Sequence, residues 1–379
     1  MTTLVDDESA DPRTHLFVVG VGAYRHLAGG TEPLDHLRGV RLSQLASPPL
    51  SAQAVTDWFL GEMRNPDTPL GSVEMLLSPS GSYRMPDGRT ADVEAATIDN
   101  IAAAFDRWLG RCDRSEDNIA IFYFCGHGVM REVVALLAED FGRSPHRPYE
   151  ASVDFTMTFE GLARSKARRQ VYLVDACRQV MRSTLALEKI DATALAIGTF
   201  EREHHRDAPI LFASAEDDRA YARTGQPTRL ADALLRCLSG RASERVGGKW
   251  VVTSRKLLEA TSELIWRDNL PDAPMQRPRP GGEPTGLAVP LHHPSAPPMV
   301  WATIGCVPEQ AMGGAELSLV SVRDAARAYA RAPSPDRWRI EIEPGDYDVA
   351  ARFADGEFRD LKEELLAVPP FADHFLEVL

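Results

Sequence analysis

Two short segments constrain this chain more than any other feature: IFYFCGHGV (residues 121–129) and VYLVDACR (residues 171–178). Each is a continuous apolar run of strand length, as expected of a strand covered on both faces in a parallel sheet. Each stops abruptly at a chemically competent residue. The first delivers His127 between Gly126 and Gly128, and the second delivers Cys177 directly after Asp175 and Ala176. Both therefore belong to the edge of a parallel sheet where strands end and loops begin, which is where α/β folds place their sites.

The rest of the N-terminal two-thirds repeats this alternation. LFVVGVGAY (16–24) reads as a central strand. SAQAVTDWFLGEM (51–63) reads as a helix with Ser51 as its N-cap. VEMLLS (73–78) is a strand, and the turn-rich stretch 79–92 is expected to be an exposed loop. Thr97 can cap a helix whose apolar stripe is Ile98, Ile101, Phe105, Trp108 and Leu109, with Gly110 as its stop. Residues 131–140 have strand character and suit a small hairpin arm. Residues 158–169 read as a helix with a basic end, RSKARR. APILFASA (208–215) is a further strand, and 228–238 and 254–268 read as helices. Such alternation predicts a mostly parallel sheet with helices on both faces.

From residue 271 the pattern changes. Residues 271–284 and 292–298 are proline-rich and read as an extended linker. Beyond residue 299 come short β-like pieces separated by turns such as EPGD (343–346). The expected division is a catalytic domain at 1–270, a proline-rich linker at 271–298 and a small all-β accessory domain at 299–379.

Composition excludes several classes. The net charge of −13 gives no reason to expect nucleic-acid binding. Five cysteines without a CxxC pair suggest neither a disulfide framework nor a zinc site. Cys125 and Cys237 sit in apolar surroundings and read as buried fillers. The polar N-terminus lacks a secretory h-region, and no apolar run reaches the ~20 residues of a transmembrane helix. A cytoplasmic protein without cofactor, metal or membrane contact is expected, in a compartment where a free thiolate survives.

A thiol and an imidazole at one sheet edge make an activated nucleophile. The imidazole takes the thiol proton and later protonates a leaving amine. Glycines beside His127 allow close substrate approach. The N–H groups of Gly128 and Cys177 are candidate oxyanion-hole donors. The reaction class is acyl transfer, with peptide hydrolysis its commonest form.

GHG after one core strand and DAC after the next resembles the caspase-like cysteine peptidases: the caspases, metacaspases, paracaspases and their bacterial relatives. The separation, 177 − 127 = 50 residues, agrees with the about 50 seen in caspases. The resemblance covers residues 16–270. DACRQ departs from the caspase QAC-x-G and is closer to the metacaspase-like form. The resemblance implies a caspase-like α/β sandwich and a His127–Cys177 dyad. It also implies that Asp175, two residues before the cysteine, reads an Arg or Lys before the scissile bond, since a carboxylate pairs bidentately with a guanidinium. In such relatives a second acid comes from the first helix region, but here 47–55 has no Asp and Asp57 lies a turn further on. Glu216, Asp217 and Asp218 could supply that charge. The resemblance further implies a zymogen matured by cleavage, and residues 179–207 hold Arg182, Lys189, Arg202 and Arg206. Calcium dependence, common in the metacaspase branch, has no EF-hand loop behind it here. Expected partners are protein substrates, with an activating protease or a regulator acting through the accessory domain, and a bacterial defence role follows only by analogy.

The plainer readings stand beside these. Asp175 could hold loop backbone, and the acids at 216–218 could form a solvated turn. The histidine pairs at 204–205 and 292–293 read as exposed loop residues. The rival function is an inactive caspase-like scaffold, which commonly loses one member of the dyad.

Overall fold

The computed structural model describes residues 2–9, 11–177, 190–197, 206–214, 225–269, 275–286, 288–354 and 356–379. In chain order the first elements are β1 (Thr3–Asp6), β2 (Thr14–Val21), helix α1 (Ser47–Gly61), β3 (Leu70–Ser78), β4 (Gly81–Arg84), β5 (Thr90–Val93) and α2 (Ile98–Cys112). Next come β6 (Ile119–Gly126), β7 (Gly128–Met130), β8 (Val134–Leu137), β9 (Ser152–Asp154), α3 (Phe155–Gly161), β10 (Arg169–Ala176) and β11 (Ala208–Phe212). Helix α4 (Arg229–Arg236), the hairpin β12 (Ser243–Val246) and β13 (Lys249–Thr253), and α5 (Ser254–Arg267) complete this part.

The main sheet has the order β1-β3-β2-β6-β10-β11, closed at the far edge by β14 (Arg279–Glu283). Strands β3, β2, β6, β10 and β11 are mutually parallel, and only the two edge strands run antiparallel. The chain grows from β2 outward to β3 and then reverses across β2 to β6, so the switch point of this doubly wound order lies between β2 and β6. Strands β2, β6 and β10 have no exposed residue because both faces are covered. Phe17, Phe122 and Tyr172 pack under α2 and α3, whereas Leu16, Tyr123 and Leu173 pack under α1, α4 and α5.

Several local expectations change. Helix α1 begins at Ser47, because Pro48 and Pro49 occupy first-turn positions that need no N–H donor. Ser51 therefore lies inside the helix, and its hydroxyl bonds back to the Ser47 carbonyl at 3.0 Å. The expected loop at 79–92 contains the β4–β5 hairpin, held by buried Tyr83, whose hydroxyl donates to Asp57 at 2.5 Å. Helix α2 passes through Gly110 to Cys112, because Trp108 and Cys112 keep its buried stripe going. The basic run RSKARR does not end a helix: α3 stops at Gly161, Leu162–Arg164 is a 3-10 turn, and Arg169 already belongs to β10.

Within the proline-rich stretch, β14 pairs with β11, and β15 (Pro290–His292) pairs with β13. Backbone pairing to an open sheet edge holds these segments without any need for apolar periodicity. His292 is buried rather than exposed; its Nδ1 accepts from the Arg64 N–H at 3.0 Å, and burial lowers its pKa to about 4.

The C-terminal part packs two sheets over a core of its own. One sheet joins β16 (Val300–Val307), β19 (Trp338–Ile342) and β22 (Phe371–Glu377). The other joins β17 (Ala315–Ser321), β18 (Ala328–Arg331), β20 (Gly345–Phe353) and β21 (Leu361–Ala367). Arginines fasten it to the first part. Arg241 lies 4.0 Å over the Trp301 ring, and Arg267 lies 4.0 Å over Phe371 while pairing with Asp373 at 2.7 Å.

Candidate active site

Strands β6 and β10 pair in parallel without a register break, from Ile119 opposite Arg169 to Gly126 opposite Ala176. The next residue on each strand is the expected one: His127 on the first and Cys177 on the second. Neighbouring strands lie about 4.8 Å apart, so the register delivers both residues side by side at the C-terminal edge. Cys177 is partly exposed, whereas Cys112, Cys125, Cys237 and Cys306 are buried.

The backbones beyond these residues also meet. A Cβ on Gly128 would lie 2.5 Å from the Cys177 carbonyl oxygen and 3.0 Å from the Ala176 methyl, so only glycine fits there. The Leu137 N–H donates to the His127 carbonyl at 3.0 Å across the β7–β8 pair. Hydrogen bonding alternates along an antiparallel pair, so Gly128, one residue on, turns its own N–H away from β8.

His127 is held from three directions by groups that the sequence reading had not singled out. Its Nε2 lies 2.7 Å from the Ser43 carbonyl oxygen. A carbonyl only accepts, so Nε2 carries the proton and Nδ1 is the basic nitrogen of the neutral ring. Its backbone N–H donates to the Tyr24 hydroxyl at 2.6 Å, and the two rings lie 4.8 Å apart. Gln44 clasps Tyr24 in turn, accepting from its N–H at 2.7 Å and donating to its carbonyl at 3.0 Å. Burial lowers the His127 pKa, and the Ser43 contact opposes that shift. The imidazole is thereby kept in its neutral, basic form near neutral pH. The available signal for Tyr24 was its place at the glycine-punctuated end of the neighbouring strand.

Asp175, one residue before the Ala176 register pair, faces the α1–α4 side. It is buried, and its carboxylate accepts from the Tyr123 hydroxyl at 3.0 Å and from the Thr228 hydroxyl. Burial pushes its pKa up to about 6, with Thr228, Tyr123 and Cys125 pulling the other way. Thr228 caps α4 through the Ala231 N–H at 3.1 Å and donates its own N–H to Ser51 Oγ at 2.9 Å. Ser51 thus connects the first helix to the Asp175 environment as a hydroxyl where an acid had been sought.

Other expected positions do not join this group. Glu216, Asp217 and Asp218 lie outside the described residues, as do Arg182, Lys189, Arg202, His204 and His205. Arg206 is unsuited to cleavage as it stands. It is buried, its Nε pairs with Glu283 at 3.0 Å, and its guanidinium lies 4.1 Å over Phe159. Among the described residues no cluster of three or more His, Cys, Asp and Glu is arranged to hold a metal ion, and no helix is long and apolar enough to cross a membrane.

A model of the caspase domain matches residues 73–268. The uncharacterized protein y4kE of Sinorhizobium fredii is 31% identical over 232 residues, which cover 56% of this chain and 66% of that protein. Among solved structures, caspase-1 from Spodoptera frugiperda matches at 11% identity and a TM-score of 0.44, over 78% of this chain and 98% of its own. Protein GSU0716 of Geobacter sulfurreducens matches at 14% identity and a TM-score of 0.41, over 72% of this chain and 94% of its own.

Proposed function

The chain belongs to the caspase-domain family of peptidases, and from that premise we propose that it is a cysteine endopeptidase cleaving after Arg or Lys. The observation that carries this reading is the unbroken β6–β10 register, after which His127 and Cys177 leave adjacent strands together. In the proposed reaction His127 Nδ1 takes the Cys177 proton, and the thiolate sulfur adds to the scissile carbonyl carbon. The N–H groups of Gly128 and Cys177 receive the oxyanion. Collapse breaks the C–N bond, His127 returns its proton to the departing amine, and a thioester remains. Water, deprotonated by the same nitrogen, then releases the acid and the thiol. The Ser43 carbonyl and Tyr24 fix the ring, and the lowered His127 pKa suits a general base.

The preference for a basic residue rests on Asp175, the one buried carboxylate placed two residues before the nucleophile. A guanidinium would take over the hydrogen-bonding role of Thr228 and favour the charged carboxylate. Maturation by cleavage within residues 179–205 and control by a partner on the C-terminal sheets complete the proposal.

Fluorogenic peptides ending in Arg, Lys or Asp before the reporter test this directly. Turnover of the Arg and Lys peptides is expected, with loss of at least about 10⁴-fold in Cys177→Ala and His127→Ala. Fast turnover of the Asp peptide with silent Arg and Lys peptides would overturn the specificity. A wild type that neither turns over any peptide nor is labelled at Cys177 by a peptidyl chloromethyl ketone would make the chain a scaffold.

A further inference from the structure

The seam between the two parts of the chain leaves a cavity of about 790 Å³ that the proposed peptidase reaction does not use. One wall is the last turn of α5, with Trp266 and Arg267, and Met275 beyond it. The other is the outward face of the sheet formed by β16, β19 and β22. Strand register orders that face into rows. In the inner row Trp301 stands between Glu341 and Phe371, and Arg241 and Arg267 cover the two rings. In the next row Thr303 stands between Arg339 and Asp373. Beyond it Phe375 lies beside Gly305, where a Cβ would come within 2.8 Å of the ring. The inner row is closed by the first part of the chain, whereas Arg339 and Phe375 remain exposed.

Three apolar side chains stay exposed around this cavity: Trp266 at 66%, Met275 at 48% and Phe375 at 37%. Aromatic residues, methionine and arginine are the side chains enriched where proteins meet, and exposed apolar groups gathered in one place mark such surfaces. The charges say what the partner carries. All three acids on the cavity wall are already neutralised: Asp268 by Arg236 at 2.8 Å, Glu341 by Arg241 at 2.8 Å and Asp373 by Arg267 at 2.7 Å. Arg337 pairs with Glu309 at 3.3 Å. Arg339 has no ion-pair partner among the described residues. The uncompensated charge of the cavity is therefore positive, within a chain of net charge −13. A matching segment offers a carboxylate to Arg339 and bulky apolar side chains to Trp266, Met275 and Phe375. We infer that this cavity is the docking site of a partner protein, which inserts a segment carrying glutamate or aspartate beside aromatic residues. The inference rests on the partner role proposed above for the C-terminal sheets and adds the surface and its chemistry.

The test is calorimetric titration of the full chain, carrying Cys177→Ala so that no peptide is cut. The probe is a blocked hexapeptide of two phenylalanines flanked on each side by two glutamates. Saturable one-to-one binding is expected. Affinity should fall at least about tenfold in Trp266→Ala, which removes an exposed ring and leaves the core intact. It should fall about fivefold in Arg339→Gln, and at least about tenfold for the same peptide with lysine in place of glutamate. Four results would each overturn the inference. The first is no binding up to several millimolar. The second is equal affinity for the lysine peptide, which would leave Arg339 without a role. The third is affinity indifferent to Trp266→Ala and to Arg339→Gln, which would place the peptide elsewhere, the peptidase cleft included. The fourth is a dimer of the free chain that Trp266→Ala dissolves in sedimentation, which would give the cavity to a second copy. The nucleophile is absent and the readout is binding, so none of these results depends on whether the wild type cleaves peptides.

Discussion

The two ends of strand β10 differ in kind. At its C-terminal end the chain narrows to small residues, Ala176 and the facing Gly128, with the partly exposed Cys177 between them and the solvent. At its N-terminal end stand long charged side chains, Arg168 and Arg169, in ion pairs with the loop before β6. The first end is shaped by close backbone approach, the second by charge balance. A site of the first kind tolerates no added atom, whereas a site of the second kind tolerates lost charges one at a time. Substitutions can break or sharpen that contrast.

The largest effect is expected at the crowded end. In Gly128→Ala the added methyl must displace the Cys177 carbonyl, which would lie 2.5 Å away, and move the N–H proposed to hold the oxyanion. A fall in kcat of about 10²–10³-fold is expected, read with the Arg peptide. An unchanged kcat would remove Gly128 from the oxyanion hole.

Asp175→Asn, on the buried side of the same edge, separates function from stability. The native carboxylate pays a desolvation cost at neutral pH because its pKa is raised to about 6. The amide avoids that cost, so the unfolding free energy from denaturant titration at pH 7.5 should rise, by up to about 3 kcal/mol. Turnover of the Arg peptide should fall about 100-fold through loss of the ion pair. Full turnover in this variant would reduce Asp175 to a structural acid.

The acid response of stability probes regions away from the dyad. Burial lowers the pKa of His15, which follows Thr14 at the start of β2, and of His292 to about 4 in each case. A histidine whose folded pKa lies below its unfolded value binds protons more readily when unfolded. Its contribution is therefore intact above about pH 6.5 and falls as the pH drops towards 4. By pH 5 each histidine should have removed about 2 kcal/mol relative to pH 7.5, with protonation of Asp175 returning part of it. Urea titrations at the two pH values check the sign, and no loss at pH 5 would contradict the buried neutral rings.

The smallest effect is expected from Tyr24→Phe. It keeps the ring 4.8 Å from His127 but removes the acceptor of the His127 N–H. A fall in kcat of about tenfold with little change in KM is expected, because Tyr24 acts through the imidazole and not on the substrate. A change confined to KM would assign Tyr24 to substrate binding.

The parallel sheet was legible in the sequence because strands buried on both faces are apolar over most of their length: 16–21 and 119–126 are so throughout, and 73–78 and 171–176 are interrupted only by Glu74, Ser78 and Asp175. The helix capped by Thr97 was equally plain, since a threonine before an amphipathic run has a local reason to be there, and the helix at 228–238 was legible although the structure makes Thr228 its cap rather than its first residue. Errors at helix ends, such as Ser51 and Gly110, only shifted boundaries, whereas missed elements and burials such as β14 and Arg206 fell where pairing partners are distant in sequence. Strand β14, RPGGE, has no strand-like composition and exists because the β11 edge accepts its backbone. Arg206, expected as a basic residue of the maturation segment 179–207, is buried with its charge paired to Glu283 on that same strand.

The local sequence determined by itself that a thiol and an imidazole would each sit at the end of a buried strand, because apolar periodicity and glycine placement act within a few residues. Only the tertiary structure decided that those strands are adjacent and in step. It also decided that the Ser43 carbonyl chooses which imidazole nitrogen stays basic, and that Trp266 and Arg339 share one cavity. Those facts bring together residues as far apart as His127 and Cys177 (50 positions), Ser43 and His127 (84) and Trp266 and Arg339 (73), and no short stretch of chain carries the energy that sets them.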